Sequence, residues 1–200
     1  MKTKFVMVSG FLMLVAAILA CGSGGSSSEE VTNAALRKVC TGEGDERAAV
    51  YGSANNGEGP FPVAVFRRAS AENQAWFILG TDKVGEDMPA GWISSEGTQT
   101  EMVVCLTVIE RELANECAYT KEGSTQPEQV ELVVELYNTN YEAVLRNART
   151  AEEYDTTTFI AETDGVCEQY TLEVIDQDIR QIDADPAPGL VPFLEPWVVK

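Results

Sequence analysis

The side chains in this sequence that could do chemistry are carboxylates and thiols. The chain of 200 residues has 32 Asp and Glu, five Cys and no His. Without histidine, Ser-His and Cys-His nucleophile pairs and every His-containing zinc or haem site are excluded. Catalysis would have to rest on paired carboxylates, which need only be apposed in space. With so many acids some such pair is inevitable, so the sequence assigns no catalytic residue, no metal site and no cofactor.

Two acidic motifs near the end of the chain could supply oxygen ligands to calcium, Asp176-x-Asp178 and Asp183-x-Asp185. An EF-hand loop would add a glycine at its turn and a bidentate glutamate further on, and this stretch lacks both. The favoured interpretation is therefore a solvated acidic turn.

The charge of the chain excludes one large class of partners. It carries 14 Lys and Arg against 32 Asp and Glu, a formal net charge of −18 at pH 7. Nucleic-acid binding depends on neutralising phosphates with cations, so a polyanion would be repelled. We therefore expect no nucleic-acid partner.

The first twenty residues have the layout of a secretory signal. Lys2 and Lys4 form a positive n-region, and the apolar run from Phe5 to Ala20 is shorter than the roughly 20 residues of a spanning helix. The run ends in Ile18-Leu19-Ala20-Cys21, which resembles the lipobox of bacterial lipoproteins. The resemblance implies cleavage before Cys21 and diacylglycerol on its sulfur. An ordinary signal peptide or a retained anchor helix is the alternative.

This arrangement predicts three regions. Residues 1–20 are the lipoprotein signal peptide, and residues 21–30 are the lipidated Cys21 with a Gly/Ser tether whose composition cannot pack a core. Residues 31–200 form a single exported domain. We expect it to be held by its acyl chains on the extracytoplasmic face of the cell membrane or the outer membrane.

The patterning of residues 31–200 is typical of a mainly β or α+β fold. We predict an antiparallel β-sheet meander or sandwich with one or two short helices, after the N-terminal signal helix. Apolar residues on both sides of the segment 102–109 predict a central, doubly covered strand. Alternation over 130–137 predicts a half-solvated strand, which 138–140 would turn back into 141–147. Further strands are predicted at 63–66 and 75–79, as a hairpin, and at 116–120, 156–161 and 170–175.

Helical signals are weaker. Glu29 to Val39 could form a short helix with Ser28 as its N-cap. The apolar spacing over 172–182 fits either a helix or a strand. We expect the apolar, proline-punctuated residues 190–197 to dock on the domain as a helical turn or an extended cover, because an unburied tail would expose them.

A succession of short motifs carries a second resemblance. In chain order they are Val39-Cys40-Thr41-Gly42, Ala48 to Tyr51, Phe61-Pro62-Val63, Pro89-x-x-Trp92, Val103-Val104-Cys105-Leu106, Cys117-x-Tyr119 and Cys167. Over residues 39 to about 198, their order is similar to that of an uncharacterised exported domain of bacterial lipoproteins and of some bacterial membrane proteins. That family often has His-Pro where this chain has Phe61-Pro62, so a role for that imidazole is absent here. The resemblance implies no known activity.

Four cysteines remain once Cys21 is assigned to lipid. They are Cys40, Cys105, Cys117 and Cys167. Their even number in an exported, oxidising setting predicts two disulfides.

The pairing of these cysteines depends on a predicted hairpin. Cys105 and Cys117 lie six positions to either side of Arg111, so a turn centred there would oppose them within disulfide reach. We therefore predict a Cys105–Cys117 bridge, which leaves Cys40 with Cys167. A turn shifted by one residue would put the two sulfurs on opposite sides and give Cys40–Cys105 and Cys117–Cys167 instead.

The expected function is that of a membrane-anchored, extracytoplasmic lipoprotein acting as a non-catalytic binding or envelope-assembly module. Trp76, Trp92 and Trp197 are candidates for its binding surface, although such aromatic residues are more often structural. The alternative is a small secreted hydrolase that uses carboxylates. An enzyme would have a cleft with two acids about 5 to 9.5 Å apart, one of them desolvated. A binding module would have an exposed apolar or aromatic patch.

The lipobox leads to a direct prediction. Replacing Cys21 with Ser should abolish lipidation and signal cleavage, because the sulfur is the acylation site. Mass spectrometry of membrane-extracted protein should find acyl chains on Cys21, and a variant that starts at Gly22 behind an ordinary signal should be soluble. An unmodified Cys21 in the membrane-bound wild-type protein would refute the assignment.

Overall fold

The computed structural model describes residues 31–53, 57–79, 88–94, 97–119, 132–167 and 179–199. The signal, the tether, Ser28, Glu29, the strand predicted at 170–175 and Asp176-x-Asp178 lie outside these residues. The elements are α1 (Asn33–Val39), β1 (Val63–Arg68), β2 (Phe77–Ile78), a 3-10 turn (Gly97–Gln99), β3 (Met102–Tyr119), β4 (Leu132–Asn147), β5 (Glu153–Ala161), β6 (Ile179–Asp183) and α2 (Ala187–Val198). Within the described residues, no helix is long and apolar enough to cross a bilayer.

The strands form one six-stranded sheet in the order β2-β1-β3-β4-β5, and β6 pairs with β4 beyond the end of β5. The mainly β class with two short helices is confirmed, as is the β1–β2 hairpin. The sheet is nevertheless mixed, since β1–β3 and β4–β6 are parallel. It is therefore neither an antiparallel meander nor a sandwich. Alternation along one strand reports which side is buried but carries no information on the direction of the neighbouring strand.

Two predicted turns are instead parts of continuous strands. β3 has 18 residues and β4 has 16, and they pair antiparallel from Met102 opposite Asn147 to Tyr119 opposite Leu132. Two bulges in β3, between Val108 and Glu110 and between Leu113 and Asn115, absorb the difference in length. The polar residues near Arg111 and at 138–140 look like turns in the sequence because this part of the ladder is partly solvated.

The two sides of the sheet bury different residues. On one side, which we call the α2 side, Met102, Val104 and Leu106 pack with residues of α2. On the other, the α1 side, Val103 and Cys105 pack with residues of α1. The predicted central strand covered on both sides is thereby confirmed.

The first helix begins later than expected. Thr32, not Ser28, is its N-cap, and the Thr32 side chain accepts a hydrogen bond from the Ala35 amide. Leu36 and Val39 bury the apolar stripe against the sheet.

The docked C-terminal segment is confirmed as a helix. Leu190, Leu194 and Val198, at spacings of four, form the buried face of α2. Gly189 lies against the ring of Phe159 in β5, and a Cβ at this position would clash with that ring. The apolar spacing over 172–182 fits either a helix or a strand, and the described end of this stretch is a strand, since Ile179–Asp183 is β6.

The predicted disulfide framework is present, but the predicted pairing is wrong. Cys40 is bonded to Cys105 and Cys117 to Cys167, with Cα–Cα distances of 5.5 and 5.6 Å. Cys105 and Cys117 cannot meet because they lie on the same strand, opposite Val144 and Val134 of β4. Ten residues of β4 separate those partners, about 33 Å at 3.3 Å per residue. The alternative left open by the sequence is correct because there is no hairpin, not because its turn is shifted.

Each disulfide fastens a cover onto the α1 side. Cys40 follows α1 directly, so its bond to Cys105 holds that helix on the sheet. Cys167 ends the segment 162–167, which we call the strap. Asn115 donates a hydrogen bond to the strap carbonyl of Gly165 at 2.7 Å. Two disulfides within one domain indicate that the protein folds in an oxidising environment.

Removing each disulfide separately tests this arrangement. Replacing both cysteines of either pair with Ala should lower the free energy of unfolding by about 4 kcal/mol in the chain-entropy model, since the bridges close loops of similar size, with sequence separations of 65 and 50. Urea unfolding of the two double variants measures the loss. In non-reducing peptide mapping of the wild type, a Cys105–Cys117 peptide would contradict the structure.

Candidate functional site

The three tryptophans, named from the sequence as candidates for a binding surface, do not lie on one shared surface. Trp76 is buried in the α1-side core and Trp92 in the α2-side core, so the sheet separates them. Trp197 is partly exposed. The spacing of aromatic residues in the sequence does not report which side of a sheet each one reaches.

Trp76 and Trp197 each make a further contact with a neighbouring side chain. The Arg68 guanidinium lies 4.7 Å from the ring centroid of Trp76. Trp197 stacks on Tyr154, with ring centroids 5.3 Å apart and planes at 5°, and its indole N–H donates to Asp155 at 3.3 Å. Trp197 therefore holds the end of α2 against β5.

The most buried carboxylate, Glu101, is occupied by hydrogen-bond donors. It precedes β3 and is fully buried. Its carboxylate accepts from the backbone N–H of Gly52 at 2.6 Å and from the Ser53 hydroxyl at 3.4 Å. Glu101 thus pins the loop of residues 49–53 to the sheet.

A second buried carboxylate, Asp183, lies between two arginines on the α2 side. Its side chain is 6% exposed and accepts hydrogen bonds from Arg111 Nε at 2.6 Å and Nη2 at 3.1 Å. Arg67 makes an ion pair with Oδ2 of the same carboxylate, and the Thr139 hydroxyl donates to Oδ1 at 3.2 Å. We call these four residues the arginine cluster.

Burial and neighbouring charges shift the pKa values of Arg67, in the arginine cluster, and of Tyr141 beside it. Burial lowers the pKa of the Arg67 guanidinium, and the charge of Arg111 acts in the same direction. Burial also raises the pKa of Tyr141, whose ring lies under Arg67 and whose hydroxyl donates to the Ala184 carbonyl at 3.0 Å. Asp183 is the carboxylate that holds two desolvated cations together, so it is not free to act as a base or nucleophile.

The Asp183-x-Asp185 motif is likewise not arranged for calcium. Asp183 is paired with arginines, and Asp185 accepts a hydrogen bond from the Ala187 amide at the start of α2. Among the described residues, no group of three or more His, Cys, Asp or Glu could hold a metal ion.

An open cavity of about 610 Å³ beside α1 contains both acids and bases. Four of its five charged residues form two ion pairs: Lys38 lies 3.9 Å from Glu43, and Arg47 lies 2.7 Å from Asp45. The hydrogen-bonded Arg47 guanidinium lowers the pKa of Asp45. A carboxylate hydrolase needs an acid whose pKa is raised by desolvation, and Asp45 shows the opposite shift.

The part of the α1 side between α1 and the strap is more exposed. There Glu110 lies opposite Asn140, which lies opposite Ile160 in β5. Directly opposed residues point to the same side of a sheet, so the neighbouring rungs extend one surface across three strands. We define this open face by Glu110, Glu112, Asn140, Glu142, Thr158 and Ile160, together with the exposed Ile109 of the bulge next to Glu110.

The open face combines exposed apolar side chains with unneutralised acids. Ile109 is 52% exposed and Ile160 is 66% exposed. In the part of the chain that the structure describes, no cationic side chain lies within ion-pair distance of Glu110, Glu112 or Glu142. Solvent-exposed apolar side chains rimmed by polar groups mark interaction surfaces. We therefore take the open face as the candidate site.

Sequence reasoning did not find this face. Its residues come from three strands and meet only through the register of β3, β4 and β5. One local signal was present, since the isolated Ile109 and Ile160 are each followed by acids within two residues. An apolar residue next to an acid is too common a pattern to single out without the register.

No protein-family model, no curated protein and no solved structure matches this chain. Its similarity to lipoproteins and to an exported envelope domain thus stays a prediction from the sequence.

The arginine cluster predicts a large asymmetry between two neutralising substitutions. Asp183→Asn should lower the free energy of unfolding by about 2 kcal/mol or more, because it leaves two partly desolvated guanidiniums without their counterion. Glu153→Gln removes the exposed pair with Arg146 and should cost less than about 1 kcal/mol. Urea unfolding of both variants compares the costs, and equal losses would show that Asp183 is not the centre of the cluster.

Proposed function

We propose that this protein is an exported, lipid-anchored module that binds a partner in the cell envelope and does not catalyse a reaction. The observation that carries the proposal is the pair of disulfides, each of which holds a cover on one side of the sheet. A domain stapled in this way needs an oxidising compartment to fold. The lipobox-like ending before Cys21 supplies the route to that compartment.

The anchor and the tether support a role close to the membrane surface. Acylation of Cys21 would fix the chain in the outer leaflet, with each buried CH₂ contributing about 0.8 kcal/mol. A flexible Gly/Ser tether of ten residues, 21–30, has a root-mean-square span of about 17 Å. The domain would therefore sample partners within a narrow layer above the bilayer.

The chemistry of the acids supports binding over catalysis. Glu101 and Asp183, two well-buried carboxylates of the described residues, both accept several hydrogen bonds that hold loops and strands together. Asp45, in the cavity beside α1, has a lowered pKa. The exposed Glu110 and Glu112 lie on the open face beside Ile109 and Ile160, where they suit contact with a partner.

Site-specific cross-linking in intact cells tests the proposal. A photo-activatable residue in place of Ile160, on the open face, should give a discrete cross-linked species in the membrane fraction. The matched control replaces Ile179, which is 54% exposed but lies opposite Val133 on the α2 side. It should give none.

Two further results would decide the matter. The Ile160 species should disappear in the variant that starts at Gly22 behind an ordinary signal, because that domain has no anchor and would no longer be held near its partner. Equal cross-linking from both positions, or none from either, would contradict a binding role for the open face. Single-site labelling of the folded protein by a serine- or cysteine-directed probe would contradict the absence of catalysis.

A further inference from the structure

We propose that the open face docks a positively charged polypeptide segment that also carries apolar side chains. This inference rests on the proposed binding function and specifies the chemistry of the partner. It is drawn from two observations that are independent of each other, three carboxylates that have no ion pair among the described residues and the exposed isoleucines.

The carboxylates select a cationic partner. Glu110 and Glu112 are two residues apart on the same side of β3, so their Cα atoms are about 7 Å apart. That spacing is within the Debye length of about 8 Å at physiological ionic strength, so the two charges repel each other. Glu142 adds a third charge from the adjacent strand, opposite Thr107, whose hydroxyl accepts a hydrogen bond from Arg68 Nε at 2.8 Å. A cation placed over them relieves this repulsion and gains attraction, whereas an anionic lipid or nucleic acid would be excluded.

The isoleucines require that the cationic partner is also apolar in part. Ile109 and Ile160 lie two strands apart, about 10 Å, with Asn140 between them. A free inorganic cation or a fully hydrated polycation would leave both side chains in water. A polypeptide segment with alternating basic and apolar residues covers both kinds of group.

The two disulfide-held covers set the bounds of the surface. α1 ends at Cys40, bonded to Cys105, and the strap ends at Cys167, bonded to Cys117. The floor between them consists of paired strands and is rigid. A segment that docks there is limited along the strands by the covers, so it fits most simply across β3, β4 and β5.

The test uses the full-length protein in a non-ionic detergent and three labelled peptides of equal length. One contains Lys and Leu, the second Lys and Ser, and the third Glu and Leu. Fluorescence anisotropy at physiological salt should show the Lys–Leu peptide binding most tightly, with an affinity that falls as salt is raised. The Glu–Leu peptide should not bind.

Two groups of variants locate the binding. The triple substitution Glu110→Gln, Glu112→Gln and Glu142→Gln should weaken Lys–Leu binding about tenfold, and Ile109→Ser with Ile160→Ser should reduce it to the level of the Lys–Ser peptide. The matched control is Glu58→Gln, Glu152→Gln and Glu195→Gln. These three acids are exposed and lie outside the open face, and the control changes the net charge equally. It should weaken binding less than about twofold. Urea unfolding confirms that every variant is folded.

Several outcomes would overturn the inference. Equal loss in both triple variants would mean that only the net charge of the protein attracts the peptide. Equal binding of the Lys–Leu and Glu–Leu peptides would mean that the face is apolar without charge selectivity. Binding of calcium alone at the three acids, or self-association lost on Ile160→Ser, would assign the face to an ion or a second copy. If Ile160 still cross-links a membrane partner in any of these cases, the proposed function stands and only the partner's chemistry is wrong.

Discussion

The antiparallel pairing of β3 with β4 is the constraint on which the rest of the structure depends. β1 and β2 reach the sheet through β3, and β5 and β6 reach it through β4. The first half of β3 is buried on both sides, so its apolar residues supply much of the hydrophobic stabilisation of both cores. Both disulfides also end on this strand, at Cys105 and Cys117. A substitution that disturbs the pairing of β3 is therefore expected to affect both disulfide-held covers and both halves of the sheet.

The arginine cluster joins β6 to β1 and β3, two strands with which β6 does not pair. Arg67 comes from β1, Arg111 from β3 and Asp183 from β6, and the carboxylate lies between the two guanidiniums. This placement fixes the middle of the β3–β4 ladder, where Arg111 lies opposite Thr139, by charge-assisted hydrogen bonds. It also keeps Arg67 and Arg111 away from Glu110 and Glu112, because these two arginines point to the α2 side.

The sequence predicts local patterns well and long-range pairings poorly. The alternation over 102–109 reports the doubly covered strand correctly, because burial follows a period of two. The strand over 132–136 is also correct, as is the docked C-terminal segment. The turn predicted at Arg111 is wrong because a solvated, bulged strand and a turn have the same polar composition, and the cysteine pairing inherits that error.

Features that depend on which strands become neighbours were out of reach of the sequence. The parallel pairs, the separation of Trp76 from Trp92 and the assembly of the open face are all of this kind. The extra residue at Ile109 has a consequence of the same origin. In an unbulged strand that continued from Val108, Arg111 would point to the α1 side. Glu110 and Glu112 would instead point to the α2 side, toward Asp183. Three carboxylates would then lie close together in a poorly solvated layer. The single inserted residue thus determines the side to which each charge points. Arg111 faces its counterion Asp183, and Glu110 and Glu112 face water.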